Sequence, residues 1–321
     1  MKKTIDITVT NSSDAMIQHR EQYKRLLELI LTSAVVTVPL IGSILAIYLA
    51  TQGIGGSAAD WGVLLVMYLL SMIGVELGYH RYFTHRSFKA KPFVERLLGI
   101  LGAMSMQGPV IWWSSVHRRH HLHADNQGDP HSPYGGVISS RLPLPVRFIY
   151  GHCGWLFNIE STRPQGWHNF VHDMYRNERA FKSHMQYWYW ALAGIVLPGV
   201  ADALLTQSLQ GFALGILWGG LLRIFLAHHA FWSINSIGHM IGGRSFEARD
   251  NSRNNLVVAL LTLGQGWHNN HHAFPTSAKV GLYWWQIDPG WWILCLAQHL
   301  GLISELKQPT AERIQKRAIS N

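Results

Sequence analysis

Charge is scarce in this sequence: 14% of its 321 residues are Asp, Glu, Lys or Arg, while 48% are hydrophobic. Such a balance argues against an ordinary soluble globular domain. Cysteine is scarcer still, with only Cys153 and Cys295. One bridge at most excludes a disulfide scaffold, and two thiols exclude an iron–sulfur cluster. Internal repeats, low-complexity tracts and a Pro/Gly/Ser linker are also missing, so a single domain over 1–321 is expected. The net charge of +9 comes without any nucleic-acid recognition motif, so no nucleic-acid partner is expected.

What is present is apolar length. Four runs approach the roughly 20 residues that a bilayer core requires: 29–50, 61–79, 187–205 and 211–232. The first is too long and too far from the start for a secretory h-region, and MKKTIDITVTNSSDAM before it has no cleavage pattern, so it is expected to stay as a span. The connectors TQGIGGSAAD and TQSLQ lack Lys and Arg, whereas Lys2, Lys3, Arg20, Lys24 and Arg25 precede the first run and Arg81, Arg86, Lys89 and Lys91 follow the second. Because cytoplasmic loops carry the basic excess, the expected topology is two hairpins with both termini cytoplasmic, in the plasma or inner membrane if the source is bacterial. The fold class is therefore all-α and polytopic, with a helical cytoplasmic cap from about 80–184 and 233–321.

A fifth apolar run, Leu97 to Trp113, is short and interrupted by Gln107 and Pro109. If it crossed the membrane, His80 and His85 would be separated from His117, His120 and His121. The histidine pattern predicts that it only dips in or lies along the interface.

That pattern consists of three boxes: HRYFTH (His80, His85), HRRHH (His117, His120, His121) and HNNHH (His268, His271, His272). Positions i, i+3 and i+4 share a helix face, so each H-x-x-H-H directs three imidazoles into one space. With 19 histidines, chance would produce that box about 0.07 times per chain, and it occurs twice. In HRYFTH, i and i+5 stand about 140° apart on an α-helix; His80 is expected to finish the span and His85 to reach back from the turn. In NSIGH, the i, i+4 pair Asn235 and His239 offers a ninth imidazole and an amide suited to holding a metal-bound water. Imidazole suits Zn, Cu, Fe and Ni rather than hard cations. Eight or nine nitrogens exceed one coordination sphere, which predicts a pair of metals, preferably two irons.

The order of these boxes, together with GYHRYFTHRSF, DPHSPYGG and GWHNNHHAFP between apolar hairpins, resembles the membrane fatty acyl desaturases over roughly Trp61 to Trp292, most of all the stearoyl-CoA (delta-9) branch. The resemblance implies two irons at His80, His85, His117, His120, His121, His239, His268, His271 and His272, with Asn235 reaching a metal through water. It implies O₂ as co-substrate, removal of two hydrogens from a long-chain acyl group, and a channel along Gln107, Trp113 and Trp232. Animal acyl-CoA enzymes carry Arg-Asp where this chain has Ser115 and Val116. Acyl-CoA therefore leads only modestly over acyl carrier protein and lipid acyl chains.

Two electrons per turnover must come from outside, since no flavin or haem signature is present and 49 residues after His272 are too few for a fused carrier domain. A separate ferredoxin or cytochrome b5 type donor is expected on the basic face. Glu76, four residues before His80, is a candidate for orienting that ring, or for meeting water or an arginine. His228 and His229 are expected to pack at the interface, the remaining cap histidines to be polar surface or structural, and Asp129 with His131 to fix a turn. Alternative readings are a histidine-box hydroxylase or ketolase, and a divalent-metal transporter with ligands inside the spans.

Overall fold

A computed structural model describes residues 8–319, with side chains described from His19. Lys2 and Lys3 lie outside the described residues. The architecture is helical; the described β-structure amounts to a two-residue antiparallel pair, Lys89–Ala90 with Ile303–Ser304, and isolated bridges.

Among the described residues, four helices are long and apolar enough to cross a membrane: His19–Thr51 within α1 (Thr8–Thr51), α2 (Ala58–Thr84), α6 (Tyr187–Thr206) and α7 (Leu209–Met240). Their outer faces carry exposed Leu, Ile, Val, Trp and Tyr, including Ile41, Leu65, Leu192 and Leu204. An apolar solvent resolves that exposure, since water would penalise it. The third element matches the expected 187–205 within a residue. The others extend past their apolar runs because helix geometry continues into polar sequence once backbone bonding and packing support it.

The largest correction concerns α2. Its α-helical winding ends at Met72, and residues Ile73–Thr84 wind as a π-helix through nearly the whole HRYFTH box. His80 does not finish the helix. With i→i+5 bonding, residue i+5 lies nearly above residue i, and the His85 N–H donates to His80 O at 3.1 Å. The wider turn, not a helix end, brings the two rings onto one side.

The fifth apolar run forms two short helices, α3 (Pro92–Met104) and α4 (Val110–His123), joined by a turn in which Met106 and Gly108 have φ of 57° and 95°. It does not cross as one span. The turn is pinned by Arg223 of α7, fully buried, whose guanidinium donates to the carbonyls of Met104 (2.8 Å), Gly219 and Gly194. Buried without a carboxylate partner among the described residues, this cation is satisfied by carbonyl dipoles. Helix α3 lies hard against the π-wound segment. A Cβ on Gly102 would come 2.2 Å from the Tyr79 ring, and one on Gly74 equally close to the Leu101 backbone. Only hydrogen fits at these positions, and the resulting contact fixes His80 relative to α4.

Candidate metal centre

All nine predicted imidazoles converge. His80, His85, His117, His121 and His271 form one group and His120, His239, His268 and His272 a second, and within each group the ligand nitrogens lie inside 4.8 Å of one another. The i, i+4 pair His117/His121 of α4 faces the first group, while His120 on the same helix turns into the second. In α8 (His268–Ala273), His271 joins the first group and His268 and His272 the second. Each H-x-x-H-H box therefore serves both groups.

The paired asparagines between those histidines anchor α8, a role the sequence reading did not assign. Asn254 Oδ1 accepts from Asn269 N at 3.0 Å, Asn254 Nδ2 donates to Asn270 Oδ1 at 2.7 Å, and Asn270 Nδ2 donates to Val280 O at 2.8 Å. A six-residue helix has little stability of its own. These buried amides replace the missing length.

Four rings are oriented through Nδ1 by carboxylates: His80 by Glu76 (3.1 Å), His120 by Asp129 (3.0 Å), His239 by Asp125 (3.0 Å) and His272 by Asp250 (2.8 Å). Glu76 realises two of its predicted contacts at once, since its other oxygen accepts from Arg81 Nε at 2.7 Å. Asp129 also fixes its turn, accepting from the N–H groups of Asp125 and His131. Asp125 and Asp250 were missed, because neither sits at a helical spacing from the ring it holds. Gln265 was missed too; its side-chain amide lies 3.2 Å from His80 Nε2.

A carboxylate on Nδ1 keeps the proton there and leaves Nε2 a bare lone pair. His120 Nε2 and His272 Nε2, both of this kind, face each other at 3.3 Å. In the first group, the Nε2 contacts His80–His271, His117–His85, His117–His121 and His271–His121 run from 2.8 to 3.1 Å. Where both nitrogens are bare, as for His120 and His272, the lone pairs repel unless a cation stands between them. Nitrogens about 2.1 Å from one metal and at right angles to each other stand about 3.0 Å apart, so the spacing fits. Burial, followed by the neighbouring imidazoles, pushes His85, His117, His121, His268, His271 and His272 well below the ordinary imidazole range, which keeps them neutral and ready to ligate.

A cavity of about 470 Å³ runs from α1 to His80 and His117, and Gln107, Trp113, Trp232 and Asn235 all line it. At the α1 side, Arg163 pairs with Glu28 at 2.6 Å. On another side, a more polar opening reaches His121 and His272 and is edged by Arg249, Lys307, Arg313 and Arg317. His228 Nε2–H donates to the Ser105 and Met106 carbonyls, and His152 bridges His229 Nδ1 (2.9 Å) and Ser236 Oγ (3.0 Å). His131 is buried against the His120 ring, 4.4 Å between centroids.

Fold and site together define a class: a membrane-associated helical protein whose histidine boxes form paired groups able to hold metal. The fatty acid desaturase family model matches residues 57–299, and the chain belongs to that family; it is an oxidoreductase of the fatty acyl desaturase kind. The chain is 39% identical to a hex-5-enoyl-acyl-carrier-protein acetylenase of Moorena producens (strain JHB), over 88% of this chain and 87% of that protein. It is 35% identical to an acyl-CoA 5-desaturase of Anemone leveillei, covering 82% and 76% of the two chains. Identity is also 35% to an sn-2 palmitoyl-lipid 9-desaturase of Nostoc sp. (strain 36), covering 76% and 80%. The family places the chain among desaturases rather than transporters.

Proposed function

We propose that the chain, acting as one domain over 1–321, uses O₂ to introduce a cis double bond at carbon nine of a long-chain acyl substrate, with two irons as its cofactor. His80, His85, His117, His121 and His271 hold one iron, and His120, His239, His268 and His272 the other, with Asn235 reaching the second through water. The observation that carries this reading is the approach of imidazole Nε2 atoms to about 3 Å of one another in two adjoining groups, with bare lone pairs facing at His120 and His272. An iron pair supplies the power to use O₂ against an unactivated C–H bond. Overall, the acyl chain gives two hydrogens, the donor two electrons and solvent two protons, and O₂ becomes two waters.

The protein's own part is placement. The apolar cavity, with Trp113 and Trp232 in its wall and Gln107 at the α3–α4 turn, holds the chain so that one pair of methylenes lies beside His80 and His117. Exclusion of water by the same walls protects the oxidising centre. Both termini are cytoplasmic and two hairpins cross the plasma membrane, in line with the basic excess. An acidic donor of the ferredoxin or cytochrome b5 type docks beside Arg249, Arg313 and Arg317, where charge attraction speeds encounter. The acyl carrier is acyl-CoA ahead of acyl carrier protein or lipid.

The identity to an acetylenase favours a second reading, further dehydrogenation of an unsaturated acyl group on acyl carrier protein. Expression in cells that make no unsaturated fatty acids, grown with and without a supplied alkenoic acid, with a reductase present and lipids analysed, separates the two. A new cis-9 alkene that needs O₂ and is lost in His271→Ala supports the first; alkyne products support the second. No new unsaturation in a competent host would defeat both.

A further inference from the structure

The two histidine groups differ in charge, and that difference is not visible in the ligand types. Around the second group, Asp125, Asp129 and Asp250 each hold one of its four rings, with side chains 3%, 0% and 8% exposed. Among the described residues none of these carboxylates pairs with Lys or Arg. The nearby Arg119 spends its guanidinium on the Glu160 and Ser161 carbonyls. Around the first group, only His80 has a carboxylate, and Glu76 is neutralised at 2.7 Å by Arg81. Arg81 is itself tied to Asp288 at 3.0 Å and to the Ala278 carbonyl. A further cation, Arg118, reaches the carbonyl of Thr84 beside His85 at 3.0 Å and is paired with Asp173. Three buried anions without a Lys or Arg partner thus surround four imidazoles, whereas beside the other five two anions, Glu76 and Asp288, share the one cation Arg81 for a net charge of −1.

We propose that the two metal positions are electrostatically inequivalent, the second favouring the more highly charged state of its ion and the first accepting the first electron. Anions a few ångströms outside a ligand shell stabilise a triply charged ion more than a doubly charged one, and little solvent screens them here. A fifth neutral nitrogen adds donor strength to the first position but no net charge. Asp125, Asp129 and Asp250 are accordingly positioning residues that also set redox order, while Arg81, shared between Glu76 and Asp288, offsets part of the same effect at Glu76.

The inference rests on the di-iron reading, and one experiment separates their failures. Purified full-length chain in detergent is loaded with ⁵⁷Fe, its iron counted, and the fully oxidised form reduced stepwise without O₂ while Mössbauer spectra are recorded. Two irons per chain are expected, with one quadrupole doublet reduced at least tenfold more readily than the other, or about 59 mV apart for one-electron steps. The doublet reduced last should be the one perturbed by Asp250→Asn. Asp250→Asn should narrow the separation and Glu76→Gln widen it. If Asp250→Asn sheds its iron, Asp125→Asn provides the second test, and the wild-type order stands by itself. Two irons reduced together, the opposite assignment of doublets, or both variants moving the separation the same way would overturn the inequivalence alone. Fewer than two irons would remove the di-iron reading and the inequivalence with it.

Discussion

The two histidine groups are built by different means. The first draws His80 from a π-wound segment and His85 from the residue that caps it, and His117 and His121 from one α-helical face, so four of its five rings are set by local winding. The second draws its four rings from three separate elements and depends on carboxylates at distances of up to 114 positions along the chain, as for Asp125 and His239. One group is aimed by the backbone of its own elements. The other is aimed by side chains from elsewhere.

Because His271 and His272 are neighbours assigned to different groups, replacing each with Ala provides the sharpest test of the division. Each variant should lose about one metal per chain, measured by elemental analysis, and activity should fall by more than the roughly 10–100-fold that loss of an outer partner costs. Loss of both metals from either variant would merge the groups into one cooperative site.

Next in size, Asp250→Asn should lower metal affinity about 10–100-fold in the second group only, measured by competition with a chelator. Glu76→Gln should also leave Arg81 partly uncompensated in the interior, and breaking such a buried pair costs about 3–5 kcal/mol. It should therefore lower thermal stability in detergent as well as first-group affinity, whereas Asp250→Asn should affect mainly metal.

Gly102→Ala addresses backbone aiming. Its Cβ would meet the Tyr79 ring at 2.2 Å, so overpacking of about 1–3 kcal/mol is expected, with loss of first-group metal ahead of second-group metal. Equal loss from both would show that the α3 contact supports the whole centre.

The smallest effects lie at the periphery. Arg163→Ala, at an exposed pair with Glu28, should change stability by no more than about 1 kcal/mol, read from the same melting curves. Burial, then His229, pushes His152 down to about 4. Above about pH 6.5 the ring is neutral whether or not α5 (Leu144–His152) is docked; below it, the free ring takes up a proton that the docked ring refuses. Docking of α5 should weaken as pH falls from about 6.5 towards 4, measured by amide hydrogen exchange, and His152→Gln should flatten that dependence.

Much of the site was legible because H-x-x-H-H is a statement about local geometry, and local geometry follows from spacing. HRYFTH was misread for the same reason: i, i+5 has one meaning in α-winding and another in π-winding, and no residue in Ile73–Thr84 announces the choice. The close packing of Gly74 and Gly102 across α3 accompanies it. Asp129 was noticed for its turn and not for His120, while Asp125 and Asp250 looked like ordinary loop acids. Their significance is a distance to a ring on another element, and one sequence carries no such distance.

By itself the sequence determined the four apolar helices and the identity of the nine converging imidazoles, because hydrophobic length and helical periodicity are properties of neighbouring residues. Only the tertiary structure decided how those imidazoles divide into two groups, which rings receive carboxylates, and where a cavity meets them. Those outcomes depend on packing and burial between segments far apart in the chain, where a buried charge or lone pair must find its partner through space.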